Sequence, residues 1–347
     1  MKILSFGAGA VGTYLGGSLA LSGHAVTFLE RPEAAEILHR NGLHLEIKGG
    51  IHTIPNPLIA SSLSDALGQT TFDLALFALK SFDTRSAIQD IVPFAHDFPP
   101  LLCVQNGVEN EAMLANVLGV NKVIPASLTS ALARREVGDI LLERLRGIGI
   151  AAQNALSRPL VLAMNEAGLN ARLYAKADDM KWSKMLTNLI ANATSAILDM
   201  TPGEIYRDPN LFRLEQAQLM ESLQVMKAQN IQVVDLPGTP VRALVFVVEH
   251  LPDKLARPIL TRGIGSGRGG KMPSFHIDLY HGRGKSEVEY LNGAVVRAGK
   301  KLGIPTPANQ VLTETLVELT QGKLPLDTYK QRPDRLLERY EEIKSGF

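Results

Sequence analysis

The sequence predicts an α/β protein, with a doubly wound parallel sheet in the N-terminal half and an all-helical domain after it. A short apolar run at residues 2–6 breaks at once into a glycine-rich turn, which a helix at 10–22 follows. The first half goes on alternating strand-like and helix-like segments, as parallel sheets do. From Asp178 onward the apolar positions recur at helical spacing and strand signals are sparse.

The glycine-rich turn has the form G-x-G-x-x-G, and a second strand at 24–29 follows its helix. The first glycine permits the tight turn, the second lets the backbone approach a pyrophosphate, and the third lets the helix pack closely on the strand. The N–H groups at the helix start then face the phosphates. This order of elements predicts a Rossmann-type, dinucleotide-binding domain. The predicted cofactor-binding residues here are Gly7, Ala8, Gly9, Ala10, Val11 and Gly12.

The remaining elements are assigned from periodicity and turn residues. In the first half we predict strands at 73–78, 100–104 and 122–125, an extra strand pair within 44–54, β structure at 139–152, and helices at 32–41, 83–92 and 109–118. In the second half we predict helices at 178–198, 209–229, 239–256, 273–281, 286–302 and 307–321, and a charged, solvated helix in the tail at 327–344. A boundary near 173–177 gives a dinucleotide-binding domain at 1–175 and a helical substrate-binding domain at 176–347.

Composition narrows the class of protein. A length of 347 residues allows two domains with cores of their own, and a net charge of +1 gives no reason to expect nucleic acid as a partner. The one cysteine, Cys103, lies in an apolar run and is predicted to be a buried small hydrophobe. No apolar run approaches a membrane span and no signal-peptide pattern is present, so we expect a cytoplasmic protein without a membrane partner. We expect no metal site.

Three polar residues recur every four positions on the predicted helix at 178–198, namely Lys184, Asn188 and Asn192. This spacing places them on one stripe of the helix. A solvated stripe is the ordinary interpretation, but the helix is apolar, and amides beside one lysine are an unusual solvated face. One cationic acid beside two neutral, hydrogen-bonding side chains could polarise and protonate a substrate carbonyl.

A second polar cluster begins at Ser286. Ser286 and Glu289 have the spacing of a capping box at the start of a helix, and Glu287 would then lie in the first turn, where the helix dipole favours a carboxylate. Alternatively, Glu287 contacts a substrate hydroxyl or the lysine. The spacing leaves both interpretations open.

Together these pieces resemble the 2-dehydropantoate 2-reductase (ketopantoate reductase) family. The matches run nearly end to end, and their combined order and gaps are specific although no single piece is. Besides the N-terminal turn, they are Ala78-Leu79-Lys80, Gln105-Asn106-Gly107-Val108, Lys184-x-x-x-Asn188-x-x-x-Asn192, Pro273-Ser274-x-x-x-Asp278, Ser286-Glu287-x-x-Tyr290-Leu291-Asn292-Gly293 and Gly303-Ile304-Pro305-Thr306-Pro307.

The resemblance implies NADPH-dependent reduction of ketopantoate to (R)-pantoate in pantothenate and coenzyme A biosynthesis. It also implies a C-terminal domain like that of 6-phosphogluconate dehydrogenase. In this family pattern Lys184 is the general acid for the ketone oxygen, and Glu287 holds the substrate hydroxyl and helps place Lys184. Asn188, Asn192 and Ser274 are implied to bind the hydroxy-acid skeleton. The implied cofactor residues outside the turn are Arg31, Lys80 and Asn106.

The cofactor preference depends on the end of the second strand, where Glu30 precedes Arg31. A carboxylate there usually accepts the ribose hydroxyls of NAD, whereas an arginine accommodates the 2′-phosphate of NADP. The family pattern has the arginine at Arg31, so we expect NADPH, with NADH possible. Glu30 is expected either to point away or to relax the preference.

The chain departs from the family pattern in two places. Pro202 stands where some members carry an amide, and the region 232–272 is longer than in compact members and holds a Gly-Arg patch at 262–271. We expect that patch to be a surface loop; the alternative is a lid that brings Arg268 or Lys271 to a substrate carboxylate.

These departures keep other functions open. One is a reductase of another 2-keto acid, opine-type enzymes included, and another is a non-catalytic dinucleotide sensor, against which Lys184 and Glu287 argue. The expected partner is a small 2-keto acid, and a homodimer is left open.

Overall fold

The chain divides into two compact units, one formed by Met1–Lys181 with Leu236–Thr239 and the other by Trp182–Asp235 with Pro240–Phe347. The computed structural model describes residues 1–47, 49–268 and 271–347, the side chains of 264–268 excepted. The short return of Leu236–Thr239 to the first unit has no signal in the sequence. There the Thr129 hydroxyl donates to the Pro237 carbonyl at 2.8 Å.

The first unit contains an eight-stranded and a four-stranded sheet. Its strands are β1 (Lys2–Phe6), β2 (Ala25–Leu29), β3 (Leu43–Ile47), β4 (Gly50–Ile54), β5 (Leu58–Ala60), β6 (Leu74–Phe77), β7 (Leu101–Cys103), β8 (Val123–Leu128), β9 (Ala131–Glu136), β10 (Asp139–Arg144), β11 (Ile148–Ala151) and β12 (Ala171–Tyr174). Its helices are α1 (Ala10–Leu21), α2 (Pro32–Asn41), α3 (Leu63–Gln69), α4 (Thr84–Ile91), α5 (Asn110–Leu118) and α6 (Ser157–Glu166).

The large sheet has the order β12-β11-β8-β7-β6-β1-β2-β5. Six neighbouring strands, from β5 to β8, are parallel, and β11 joins antiparallel to β8. The order β5-β2-β1-β6-β7-β8 is that of a doubly wound dinucleotide-binding sheet. The predicted α/β class is therefore confirmed, as are the five main strands assigned from the sequence.

Side chains on successive strand positions enter the cores on opposite faces of this sheet, as the pleat requires. Ile3 packs into one apolar cluster, whereas Leu4 and Phe6 pack into the other. Cys103 is buried in the second cluster, as predicted. Burial raises the pKa of its thiol.

The small sheet has the order β4-β3-β10-β9. The predicted strand pair within 44–54 is confirmed as the antiparallel β3–β4 hairpin. Two glycines allow α1 to approach both sheets closely, because an added Cβ would lie 2.9 Å from the Phe28 ring at Gly16 and 2.8 Å from the Leu45 side chain at Gly17. The sequence did not predict β5, β9, β12, α3 or α6.

Among the described residues of the second unit, all regular secondary structure is helical, and loops and short 3₁₀ turns connect the helices. Its helices are the continuation of α7 (Ala177–Leu189), then α8 (Asn192–Leu198), α9 (Pro202–Arg207), α10 (Pro209–Ala228), α11 (Val241–His250), α12 (Asp253–Arg268), α13 (Ser274–Tyr280), α14 (Asn292–Leu302), α15 (Pro307–Thr320) and α16 (Pro333–Ser345). The long helix α10 packs against α9, α11, α14, α15 and α16. This confirms the predicted all-helical C-terminal part.

Four assignments in the second half need correction, and one of them is the helix predicted at 286–302, which begins only at Asn292. The helix predicted at 178–198 is two helices, α7 and α8, and that predicted at 239–256 ends before Pro252, which disfavours helical geometry in the residue preceding it. The Gly-Arg patch was predicted as a loop, but 262–268 continue α12, which packs on α9 and buries Ala256 and Leu260. Gly269, Gly270 and the Arg268 side chain lie outside the described residues.

In the described part of the chain, every helix is too short or too polar to cross a bilayer.

Candidate functional site

The predicted cofactor residues follow four neighbouring strands of the large sheet, namely β2, β1, β6 and β7. Phe6 of β1 pairs with Leu29 of β2 and with Phe77 of β6, and Phe77 in turn pairs with Cys103 of β7. All four strands are parallel, so the segments that follow them meet at one edge. Chain order reverses between β1 and β6, and ligands of such sheets bind outside the carboxyl ends at this point.

The glycine-rich turn has the geometry of a phosphate cradle. Gly7 has φ of +90°, and a Cβ at Gly12 would lie 1.9 Å from the Gly7 carbonyl oxygen. A Cβ at Gly9 would meet no described atom within 4 Å, so the packing of the unit itself does not require a glycine there. The first-turn amides of α1 have no acceptor within the helix and are available to an anion. The turn therefore fits a pyrophosphate.

Glu30 points into this turn rather than away from it. Its carboxylate accepts a hydrogen bond from the Ala8 N–H and a second, at 3.3 Å, from the Arg31 N–H. The side chain of Arg31 is exposed at the N-terminus of α2. One of the two expectations for Glu30, that it points away, is wrong, because the carboxylate binds an amide of the cradle.

The backbone around Asn106 is held by buried polar groups. The Asn106 carbonyl accepts from the Ser81 hydroxyl at 3.0 Å and from the Asn110 amide at 2.8 Å. The Gln105 amide donates to the Leu79 carbonyl at 3.0 Å. Gly107, with φ of +91°, completes the turn. The loop after β7 is thus tied to the loop after β6, which carries the half-buried Lys80.

The sequence did not predict a role for Lys181, a buried lysine that binds the loop after β7. It is 4 % exposed, donates to the Gln105 carbonyl at 2.6 Å, and forms an ion pair with Glu111 at 2.6 Å. Lys181 precedes Lys184 by three positions on α7, which was the only signal available. Glu111 and Lys181 also line a cavity of about 160 Å³ in the first unit.

The stripe predicted on one helix runs across a break. Lys184 is half-buried on α7, and Asn188 lies one turn later. The helix ends at Leu189, Ala191 adopts left-handed φ and ψ of 49° and 18°, and Asn192 begins α8. Asn188 and Asn192 nevertheless meet, because the Asn192 side chain donates to the Asn188 carbonyl at 3.1 Å.

The structure also brings Ser274 to this place. Ser274 begins α13, and its hydroxyl lies 3.4 Å from the amide nitrogen of Asn192. The amide oxygen of Asn192 accepts from the Phe275 N–H at 3.1 Å. Of the three residues implied to bind the hydroxy-acid skeleton, Asn192 and Ser274 therefore meet through their side chains, and the Asn188 backbone lies beside them in the second unit.

Glu287 is 2 % exposed, and its own carbonyl accepts from the Tyr290 and Leu291 N–H groups in a 3₁₀ turn. The proposed capping box at Ser286 and Glu289 is wrong, because the helix begins only at Asn292. Ser286 instead accepts from the Val288 N–H at 3.2 Å.

The capping box of this unit stands at Pro202, the position where the chain departs from the family pattern. The Thr201 hydroxyl accepts from the Glu204 N–H, and the Glu204 carboxylate accepts from the Thr201 N–H at 2.7 Å. Pro202 is the first residue of α9, where a missing N–H has no cost. Its ring is buried.

Two buried carboxyl groups on α10 were also missed. Glu215 and Glu221 lie on its buried face, and burial raises the pKa of each to about 7. Both accept several hydrogen bonds, which lower the pKa and oppose the effect of burial. Among the described residues no three His, Cys, Asp or Glu side chains gather as a metal ion requires.

Comparisons with known proteins identify the family to which the sequence is similar. The family models "Ketopantoate reductase PanE/ApbA" and "Ketopantoate reductase PanE/ApbA C terminal" match residues 3–153 and 176–320. A 2-dehydropantoate 2-reductase of Halobacterium salinarum is 28% identical over 92% of this chain and 99% of its own.

Solved structures show the same fold. A PanE/ApbA family ketopantoate reductase from Ralstonia eutropha is 28% identical, with a TM-score of 0.78 over 93% of this chain and 99% of its own. A D-mandelate dehydrogenase, solved with NADH and anilino(oxo)acetate, shares the fold at 21% identity, with a TM-score of 0.76 over 94% of this chain and 99% of its own. The two family models together span most of the sequence, and the chain belongs to the PanE/ApbA ketopantoate reductase family.

Proposed function

We propose that this protein reduces 2-dehydropantoate to (R)-pantoate with NADPH as the reductant. The observation that carries the proposal is the cluster of Asn188, Asn192 and Ser274 in the same helical unit as Lys184 and Glu287. These are the polar types that a small hydroxylated keto acid needs. The relatives' names support the choice of acid.

The nucleotide supplies a hydride to the ketone carbon when it is bound. Lys184 donates the proton, from its Nζ ammonium, to the oxygen on which negative charge develops. An ammonium within hydrogen-bond distance of that oxygen both stabilises the charge and neutralises it. Lys184 remains half-buried on α7, which reduces the solvent screening of this interaction.

The substrate offers three polar groups, a carboxylate, a ketone and a terminal hydroxyl. Ser274 and Asn192 donate to the carboxylate, and Glu287 with Asn188 binds the hydroxyl. Glu287 is almost fully buried, so a substrate that lacks the hydroxyl would leave a desolvated carboxylate without that partner. Losing one hydrogen bond to a buried charged acceptor costs free energy, so this site should discriminate against such analogues.

NADPH is proposed because the exposed Arg31 follows β2 at the place where an arginine accommodates the 2′-phosphate. Glu30 acts against this preference, since its carboxylate faces the cradle and repels a phosphate. We therefore propose that NADH is accepted as well, at lower efficiency.

The test of the proposed function compares 2-dehydropantoate with 2-oxoisovalerate, a branched keto acid without the hydroxyl. Loss of a hydrogen bond to a charged group, about 1.5–3 kcal/mol, predicts kcat/KM lower by about 10–150-fold for 2-oxoisovalerate. The measurement is nucleotide oxidation followed by absorbance, with each acid over a range of concentrations.

The matched variant is Glu287→Gln, which keeps the shape of the side chain and removes its charge. It should lose efficiency on 2-dehydropantoate and change little on 2-oxoisovalerate, so that the discrimination shrinks. Equal efficiency of the wild type on both acids would leave only a general 2-keto acid reductase. A panel of keto acids with and without amines separates opine-type activity, and nucleotide binding without turnover would indicate a sensor.

A further inference from the structure

Helix α10 carries a buried carboxyl group against the break between α7 and α8, and the proposed reduction does not use this group. Glu215 is fully buried. One carboxylate oxygen accepts from the Ala191 N–H at 2.7 Å and from the Tyr206 hydroxyl at 3.3 Å. The other accepts from the Thr194 hydroxyl in the first turn of α8.

These contacts fall on the strained residue of the break. Ala191 is left-handed, with φ of 49°. An alanine rarely adopts this conformation, because its Cβ crowds the backbone, and it persists only where the surroundings impose it. Gln218, on the turn after Glu215, donates to the Leu189 carbonyl at 3.4 Å. Helix α10 thus binds both the end of α7 and the start of α8.

The left-handed turn decides where the amide of Asn192 points. In an unbroken helix the backbone N–H of Asn192 would bond to the Asn188 carbonyl. Here the side chain of Asn192 makes that bond at 3.1 Å, and its oxygen accepts from the Phe275 N–H at 3.1 Å. Without the turn at Ala191, the amide would leave the cluster with Ser274.

We propose that Glu215 is a positioning residue for the substrate: by holding the left-handed turn at Ala191, it fixes the Asn192 amide in the hydroxy-acid subsite. The inference rests on the proposed function, since it takes Asn192 to bind the substrate.

The test replaces Glu215 by methionine, which has a similar length and cannot accept these bonds. The matched control is Glu221→Met on the same helix. Glu221 is also buried, but it accepts from the Ala308 and Asn309 N–H groups at the start of α15. Both variants should unfold more easily. Only Glu215→Met should raise KM for 2-dehydropantoate, by about tenfold for a misplaced hydrogen bond, with kcat and the KM for the nucleotide little changed.

Two rescues separate positioning from general stabilisation. Glu215→Gln should keep KM near that of the wild type, because its oxygen can accept from Ala191 while its NH₂ donates to the Thr194 hydroxyl, which rotates to accept. Ala191→Gly in the Glu215→Met background should bring KM back toward the wild-type value, because glycine adopts the left-handed conformation without a Cβ penalty.

A milder variant, Thr194→Val, keeps the side-chain shape and removes one donor, so the test does not depend on Glu215→Met folding. A several-fold rise in KM is expected. An equal rise in KM for Glu221→Met would overturn the proposal, and so would an unchanged KM in both Glu215→Met and Thr194→Val.

Amide hydrogen exchange at Ala191, measured without substrate, keeps this inference distinct from the proposed function. Exchange should be faster in Glu215→Met and unchanged in Glu221→Met. If the wild type is inactive on 2-dehydropantoate, the proposed function is wrong. The exchange comparison still decides whether Glu215 holds the turn at Ala191. Equal exchange at Ala191 in the two variants would show that Glu215 does not hold the left-handed turn.

Discussion

Lys184 lies half-buried on α7, one turn before Asn188. Lys184→Ala should lower kcat by about 10²–10⁴-fold, the usual contribution of a positioned general acid. Neither the fold nor the Kd for NADPH should change, because the cradle of residues 7–12 belongs to the other unit. Steady-state kinetics and nucleotide titration measure the two quantities. A loss of nucleotide affinity that matches the loss of rate would assign Lys184 to cofactor binding instead.

Glu30 and Arg31 are adjacent and act in opposite directions on the 2′-phosphate. Arg31→Ala should lower the NADPH/NADH ratio of kcat/KM by about tenfold, as expected for one solvent-exposed charge-assisted hydrogen bond. Glu30→Gln should raise the same ratio, because it removes the repulsion and keeps an acceptor for the Ala8 N–H. Kinetics with both nucleotides at saturating keto acid give the ratios. An unchanged ratio in Arg31→Ala means that this arginine does not bind the phosphate.

At the scale of elements, the capping box of α9 surrounds Pro202, the residue at which the chain departs from the family pattern. The Thr201 hydroxyl and the Glu204 carboxylate each accept a backbone N–H of the other residue, and the bonds from Thr201 lower the pKa of Glu204. Thr201→Ala should destabilise the protein by about 1 kcal/mol. Thermal unfolding should show a midpoint lower by about 2–4 °C. Thr201→Ser keeps the hydroxyl and is the control, so equal losses in the two variants would exclude a capping role.

Elements set by local sequence were predictable from it. The unit β1–α1–β2 was assigned correctly because its strand, glycine turn and helix signals are adjacent in the chain. The break at Ala191 was not, because nothing in alanine favours a left-handed turn. The turn is held by Glu215, 24 residues later. A contact between distant segments overrides local periodicity here.

The same reasoning applies to the candidate site. The resemblance grouped Asn188, Asn192 and Ser274, and the structure brings these residues together from α7, α8 and α13. The stripe of Lys184, Asn188 and Asn192 that was predicted on one helix is divided by the break at Ala191. Lys181 was not predicted, since its bond to the Gln105 carbonyl joins positions 76 residues apart. A lone lysine on a helix is usually solvated, and only the packing of the first unit shows otherwise.

Over the whole molecule, the two buried carboxyl groups on α10 make stability depend on pH. Burial raises the pKa of Glu215 and Glu221 to about 7, from the ordinary 4.5. Between these values the folded protein keeps protons that the unfolded chain has lost. Each carboxyl therefore stabilises the folded protein fully below about pH 4.5, and this stabilisation is lost as the pH rises through about 7. At 1.36 kcal/mol per pH unit, the difference of about 2.5 between the two pKa values sets the upper bound of the loss at about 3–4 kcal/mol per carboxyl.

The measurement is urea unfolding at pH 5 and pH 8, with Glu215→Gln and the exposed Glu36→Gln compared with the wild type. The wild type should lose free energy of unfolding between the two values. Glu215→Gln should lose less, because an amide does not titrate, whereas Glu36→Gln should follow the wild type. His24 has the opposite effect on the pH dependence of stability, since burial lowers its pKa. Because all three proteins contain His24, its effect cancels when the variants are compared with the wild type. If Glu215→Gln lost as much as the wild type, Glu215 would have to be ionised in the folded protein already at pH 5, with its hydrogen-bond donors outweighing burial.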